Sequence, residues 1–172
     1  RKGASDTDLI CVSGNLGAAY MGLQLLEREK AVFDQQTKEQ KKQLEFQPDF
    51  SGKEYLLERQ LKPEARGDIV AKLAKANILP TAMMDISDGL SSEIMHICEQ
   101  SHTGCQLYEE RIPLDYQTAV MAEQLNMNVT TCALNGGDDY ELLFTVKLSD
   151  YDKIKDLDDI HVVGRIQKPE YG

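Results

Sequence analysis

Two short acidic stretches hold the residue types from which a metal or phosphate site is built. The first is Met84-Asp85-Ile86-Ser87-Asp88-Gly89-Leu90. An apolar, β-prone run leads into it and a helical pattern leads out, so it marks a strand-to-helix junction. Alternate residues of an extended segment share a face, which puts Asp85 and Ser87 on one side. Carboxylate and hydroxyl oxygens are hard ligands suited to Mg²⁺. The free N–H groups of a new helix favour an anion. The competing reading is plain: Asp and Ser before a helix are the commonest N-caps. On this motif alone, capping outweighs metal binding. An EF-hand does not fit, because Met84 and Ile86 would fall where that loop needs oxygen ligands.

The second stretch is Leu134-Asn135-Gly136-Gly137-Asp138-Asp139-Tyr140-Glu141-Leu142. Asn-Gly-Gly permits positive φ and exposes backbone N–H groups. The acids that follow repel one another unless a cation, a donor or solvent compensates. An ordinary turn with a solvated acidic flank fits the pattern equally well. A third, weaker feature is Gly14-Asn15-Leu16-Gly17, which has the outline of a phosphate-binding turn. It lacks both the G-x-G-x-x-G and the P-loop endings, and a tight strand-to-helix turn is the simpler reading. His96, His102 and His161 share no ligand spacing. Cys11, Cys98, Cys105 and Cys132 form no C-x-x-C pair, so a structural zinc site is set aside and reduced, mostly buried thiols are expected.

The elements that must position these residues follow from periodicity. Strands are expected at Leu9 to Ser13, Thr81 to Ile86, Cys105 to Ile112, Tyr140 to Val146 and Ile160 to Ile166. A helix after Gly14-Asn15 carries Leu16, Ala19, Tyr20, Leu23 and Leu26 on one face. Ser51 with Glu54 has capping-box spacing, and the helix it starts, with Tyr55, Leu56 and Leu61, is interrupted by Pro63. Ile69, Leu73 and Ile78 suggest another helix, ended before Pro80. Leu90, Ile94 and Ile97 mark one from Gly89 to Ser101, with Gly104 as its terminator. Further helices are expected at Tyr116 to Leu125 and, short and acidic, at Ser149 to Leu157. Residues 34–49 are polar and read as a solvated helix extension or a mobile connection. The whole reads as a single α+β domain over 1–172, a layered α/β arrangement with helices covering a mixed sheet.

The chain has 172 residues, 41% hydrophobic and 28% charged, with a net charge of −10. That balance is globular, and the charge repels nucleic acid and anionic lipid. No stretch approaches the roughly 20 apolar residues of a membrane helix, and no signal peptide is visible. Neither nucleic acid nor membrane is expected as a partner. The chain opens on Arg1-Lys2-Gly3-Ala4 and stops just after a strand-like run, so it reads as a piece of a longer protein.

Taken together, Asp85-Ile-Ser-Asp-Gly-Leu90 and Asn135-Gly-Gly-Asp-Asp-Tyr-Glu-Leu-Leu-Phe144 resemble the thiamine-monophosphate kinase family. That family shares a superfamily with aminoimidazole ribonucleotide synthetase, selenophosphate synthetase and a hydrogenase maturation protein. Arg1-Lys-Gly-Ala4, Val12-Ser-Gly-Asn-Leu-Gly17 and Ile112-Pro-Leu114 resemble further family segments, in the same order along nearly the whole chain. The resemblance implies a C-terminal-type domain that closes over nucleotide and acceptor. An N-terminal domain, absent here, would supply most magnesium aspartates and form a homodimer. The implied reaction moves the γ-phosphoryl of ATP onto thiamine monophosphate, in the cytoplasm, with Mg²⁺. By the same resemblance Asp85 and Asp88 match magnesium positions, Ser87 and Arg1 match ATP contacts, and Asp138 matches a substrate contact. No protein nucleophile or base is implied.

Departures are visible. Ala18 replaces a common Asp, Asp138 a more usual Glu, and Lys62-Pro63-Glu64-Ala65-Arg66 an Arg-Pro-x-Pro-Arg-like segment. The family's late aromatic substrate contact lies beyond Gly172. The chain alone is therefore expected to be inactive. Two other readings stay open: an ATP-using member of the superfamily with a different acceptor, and a non-catalytic nucleotide-binding or interaction module.

Overall fold

The run Leu9-Ile-Cys-Val-Ser13 forms strand β1 (Leu9–Ser13), buried at every position. Alternation sends Ile10 and Val12 into one apolar cluster and Leu9 and Cys11 into another. A strand buried on both faces belongs at the centre of a sheet, and β1 is the third of five strands. A computed structural model of the chain describes residues 1–35, 48 and 50–171. The sheet order is β2 (Ala82–Asp85), β4 (Leu142–Val146), β1, β5 (Ile160–Gln167), β3 (Gly104–Leu107). All four pairings are antiparallel, so the expected α+β class is found without the expected mixing of strand directions. No connection between neighbouring strands is a parallel crossover, which is what a mixed sheet would need.

One sheet face is covered by α4 (Leu90–Ser101), through Leu90, Ile94 and Ile97 on Ile10, Val12, Met84, Leu143, Val163 and Ile166. The other is covered by α3 (Gly67–Lys75), through Ile69 and Leu73, and by α7 (Tyr151–Ile154), through Ile154. A third cluster joins α1 (Ala18–Asp34), α2 (Glu54–Leu61), α5 (Tyr116–Gln124) and α6 (Val129–Asn135) beside the sheet. None of the described helices is long and apolar enough to cross a membrane.

Several local expectations shift. The buried face of α1 is Ala18, Ala19, Met21, Gly22 and Leu25. Ala19 is where it was expected, but Tyr20, Leu23 and Leu26 are only partly covered, because α2 packs closely at Gly22, where a Cβ would meet Leu56 O at 2.2 Å. Helix α2 starts at Glu54 with Lys53 as N-cap, and not at Ser51; the Glu54 carboxylate reaches back to accept from Gly52 N–H at 3.1 Å. Helix α3 stops at Lys75, so Ile78 is buried from the following loop. The left-handed terminator of α4 is His102, φ 55°, and Gly104 already belongs to β3. The strand expected to run to Ile112 ends at Leu107 in a single 3₁₀ turn, Glu109–Arg111. Helix α6 was not foreseen, since Val129, Thr130 and Thr131 are poor helix formers; Asn128 caps it, accepting from Thr131 N–H at 2.8 Å. Most of the polar 34–49 segment lies outside the described residues.

Candidate functional site

The two acidic motifs lie side by side. Strand β2 pairs with β4, Asp85 opposite Leu142, and the ladder continues past both strand ends. Ile86 N–H donates to Glu141 O at 2.8 Å, Tyr140 N–H to Ile86 O at 2.9 Å, and Asp138 N–H to Ser87 O at 2.8 Å. This approach requires glycine. A Cβ at Gly137, φ 72°, would sit 2.6 Å from Ser87 O, and one at Gly89, φ 111°, would sit 2.6 Å from Leu134 O.

In the first motif, alternation is as expected: Ile86 is buried, Asp85 exposed and Ser87 half-buried. Asp88 is exposed. Neither carboxylate caps α4. The N-cap is Gly89, and no side chain bonds to the helix start there. Among the described residues neither the Asp85 nor the Asp88 carboxylate has an ion pair or hydrogen bond, which leaves four carboxylate oxygens uncommitted. Glu93, only 1% exposed, fixes the loop from behind. Its Oε1 accepts from Asp88 N–H at 3.2 Å and from the Ser87 hydroxyl at 3.5 Å, while Oε2 is buried without a partner. Sequence reading passed over Glu93, although an acid in the first turn of a helix was the available signal.

The second motif divides its acids. Asp138, in the left-handed region at φ 59°, is half-exposed, whereas Asp139 is 2% and Glu141 1% exposed. The buried pair serves the fold. Asp139 Oδ2 accepts from Gly17 N–H at 2.7 Å and Oδ1 from Ala19 N–H at 3.4 Å, so it caps α1 from across the molecule. The phosphate-like turn Gly14 to Gly17 is thereby filled by the chain's own carboxylate. Glu141 accepts from the Ser13 hydroxyl at 2.5 Å and pairs with Arg59 at 2.9 Å and with Arg66. Arg59 also donates to Asn15 O and Asp139 O, both at 3.2 Å. These two arginines are the cations that the run of acids needs. Burial pushes the Asp139 carboxyl up to about 6, against the pull of the Gly17 and Ala19 N–H groups and Arg59. Arg66 is held above its ordinary value, first by its hydrogen bond to Asp68 and also by Asp159 and Glu141.

The structure therefore gathers Asp85, Ser87, Asp88 and Asp138 at the end of the β2–β4 ladder. It does not bring Arg1 to them. Gly3 and Ala4 N–H both bond to Ser101 Oγ at 3.2 Å, at the C-terminal end of α4. A helix of that length, 12 residues, spans roughly 18 Å, and the acidic motif is at its other end. His96 is exposed on α4, in keeping with a surface role.

The fold is that of the domain class found in hydrogenase maturation protein HypE of Escherichia coli. That structure aligns with a TM-score of 0.63 at 14% identity, over 96% of this chain and 46% of that one. The likeness is one of fold. A nearer match is AaThiL complexed with AMPPCP and TMP, with a TM-score of 0.77 at 32% identity, over 97% of this chain and 47% of that one. In sequence, the thiamine-monophosphate kinase of Aquifex aeolicus is 33% identical over 170 residues, which is 99% of this chain and 48% of the relative. No protein-family model matches. Over nearly its whole length the chain is similar to the C-terminal part of thiamine-monophosphate kinases. It spans about half the length of the curated relatives it matches.

Proposed function

We propose that this chain supplies the C-terminal half of a site where ATP phosphorylates thiamine monophosphate, giving thiamine diphosphate and ADP. The observation that carries the reading is the backbone ladder between the two acidic motifs, which sets Asp85, Ser87, Asp88 and Asp138 together. Asp85 and Asp88 offer exposed, uncommitted carboxylate oxygens at a junction stiffened by Glu93, a donor set that fits Mg²⁺. When bound, Mg²⁺ supplies neutralisation of phosphate charge. Asp85 and Asp88 would hold it, and Ser87 would hydrogen-bond the nucleotide. Asp138 would face the cationic thiazolium or the aminopyrimidine of the acceptor. Arg1 is proposed as a second nucleotide contact, and its remoteness from Asp85 and Asp88 makes it the weakest member of the set. The attacking group is already a phosphate oxygen, so alignment does the work and no protein base is required. The family resemblance supports a cytoplasmic homodimer for the full-length protein.

The test is Asp85→Asn in the full-length protein, assayed for thiamine diphosphate from ATP and thiamine monophosphate. Loss of a group that stabilises developing charge costs on the order of 100-fold or more in kcat. Wild-type turnover in the variant would remove Asp85 from the mechanism. Because HypE shares the fold, an acceptor screen belongs beside it. A clear preference for another phosphate or carboxylate acceptor would keep the ATP site and replace the substrate.

A further inference from the structure

Glu93 is a buried acid with no cation beside it. It lies in the first turn of α4, behind the Ser87-Asp88 turn, and is 1% exposed. Its Oε1 is engaged: Asp88 N–H donates to it at 3.2 Å and the Ser87 hydroxyl at 3.5 Å. Its Oε2 is buried and has no hydrogen-bond partner. The other buried acids among the described residues are provided for. Asp8 accepts from Ser5 N–H at 3.0 Å and from the Thr81 hydroxyl at 2.7 Å. Asp139 has the Gly17 and Ala19 N–H groups, with Arg59 at 3.9 Å. Glu141 has the Ser13 hydroxyl and two arginines. Glu93 alone among these acids keeps a buried oxygen without a partner. A charge buried in this way costs stability, and the helix dipole at the start of α4 offsets only part of it.

We propose that Glu93 is a positioning residue of a magnesium site formed by Asp85 and Asp88, and that its buried charge ties occupation of that site to the stability of the domain. The inference rests on the reading of Asp85 and Asp88 as magnesium ligands. Glu93 is not counted among those ligands; it acts through Asp88. Because it holds the Asp88 backbone N–H, the Asp88 carboxylate stays free for a ligand. Asp85, Asp88 and Glu93 also place three acids at one junction, and among the described residues none of them has an ion pair. In the empty site the Glu93 charge is an expense to the fold. Beside a divalent cation it becomes an attraction, as carboxylates just outside a metal's ligands raise its affinity. The domain thus sacrifices stability when empty for a tighter hold on the cation. An ordinary acid in a first helical turn behaves otherwise. It stabilises the helix start with or without metal, and removing its charge lowers stability and leaves the cation's affinity alone.

The test is Glu93→Gln in the full-length protein. Glutamine keeps the shape and an oxygen for Asp88 N–H, and it removes the charge. Unfolding midpoints are followed against Mg²⁺ concentration for the wild type, Glu93→Gln, Asp85→Asn and the double variant. The wild type should gain stability with Mg²⁺. Glu93→Gln should match or exceed the wild-type midpoint without cation, and should need about tenfold more Mg²⁺ for the same gain. The double variant should respond to Mg²⁺ as Asp85→Asn alone does, since both residues act on one cation. A lower cation-free midpoint for Glu93→Gln, or a Mg²⁺ response equal to the wild type's, would overturn the proposal. A wild type indifferent to Mg²⁺ would also remove Asp85 and Asp88 as its ligands. A last measurement needs no variant. Hydrogen exchange at the wild-type Asp88 amide should be slow before any cation is added, because Glu93 already holds that N–H. Fast exchange that slows only with Mg²⁺ would assign the hold to the cation and refute the part given to Glu93.

Discussion

Asp138 and Asp139 are neighbours of the same type with opposite tasks, and the difference is burial. Asp138 stays half-exposed and available to a ligand, while Asp139 is sealed against the start of α1. Sealing has a consequence for stability. The Asp139 carboxyl titrates at about 6 in the fold and at 3.8 ordinarily, so the fold favours its protonated form. Ionisation therefore works against folding. That cost is absent well below the ordinary carboxylate range, accumulates as pH rises from about 4 to about 6, and is constant above. Two pH units correspond to about 3 kcal/mol. Asp139→Asn removes this titration, so the variant should lose less stability than the wild type between pH 4.5 and 7. Denaturant midpoints for both proteins across that window would show it, and parallel curves would refute it. Glu141 makes a complementary case. It is the shared partner of Arg59 and Arg66, and Glu141→Ala takes that carboxylate from two largely covered guanidinium groups, leaving Arg59 to Asn15 O and Asp139 O and Arg66 to Asp68 and Asp159. Losing a covered charged pair whose other acceptors remain costs about 1–3 kcal/mol, which a thermal or chemical unfolding midpoint would register.

The ladder between the two motifs depends on backbone approach, and glycine is the element that permits it. Gly137 and Gly52 offer a controlled comparison. Both are left-handed, φ 72° and 73°, but a Cβ on Gly137 meets Ser87 O at 2.6 Å while one on Gly52 meets nothing within 4 Å. Gly52→Ala should cost only the conformational penalty, about 1 kcal/mol. Gly137→Ala adds a clash with a carbonyl that cannot move without breaking the Asp138 bond, and should cost roughly 2–3 kcal/mol in all. Equal unfolding midpoints for the two variants would mean that the contact is not tight. Strands and helices with strong period were legible in the sequence: β1 is found with its expected bounds, and α4 keeps its Leu90, Ile94 and Ile97 face. What was not legible depended on partners distant in the chain. Asn135-Gly-Gly announced a turn, yet nothing local showed that it would lie against Ser87. The acids at 139 and 141 were expected to need a cation, a donor or solvent, and nothing local showed that Arg59 and Arg66, brought in by α2 and its following loop, would supply it. Asp88 looked like a helix cap, and Gly89 holds that position with no side chain involved. Helix α6 was hidden by its β-branched start.

At the scale of the molecule, the sheet is buried by helices on both faces, and the candidate ligands sit at its β2–β4 end with their carboxylates unneutralised. Among the described residues no group of three or more metal-ligating side chains converges. Asp85 and Asp88 alone would give Mg²⁺ two carboxylates, with water and phosphate to complete an octahedron. The chain also carries a net charge of −10, which repels an anionic nucleotide. The arginines near the second motif cannot offset this, because Arg59 and Arg66 are already paired with Glu141. Both facts argue that the chain by itself binds magnesium nucleotide weakly, with a Kd in the millimolar range or about −4 kcal/mol. The full-length protein should bind at least about tenfold more tightly, a gain of about 1.4 kcal/mol, and should alone form thiamine diphosphate. Calorimetric titration of ATP with Mg²⁺ into the 172-residue chain and the full-length protein, with product assayed in parallel, distinguishes the cases. Turnover by the isolated chain would mean that Asp85, Ser87, Asp88 and Asp138 make a complete site. Equal affinities without turnover would mean that the chain holds the nucleotide unaided and lacks only the groups that align its phosphate with the acceptor.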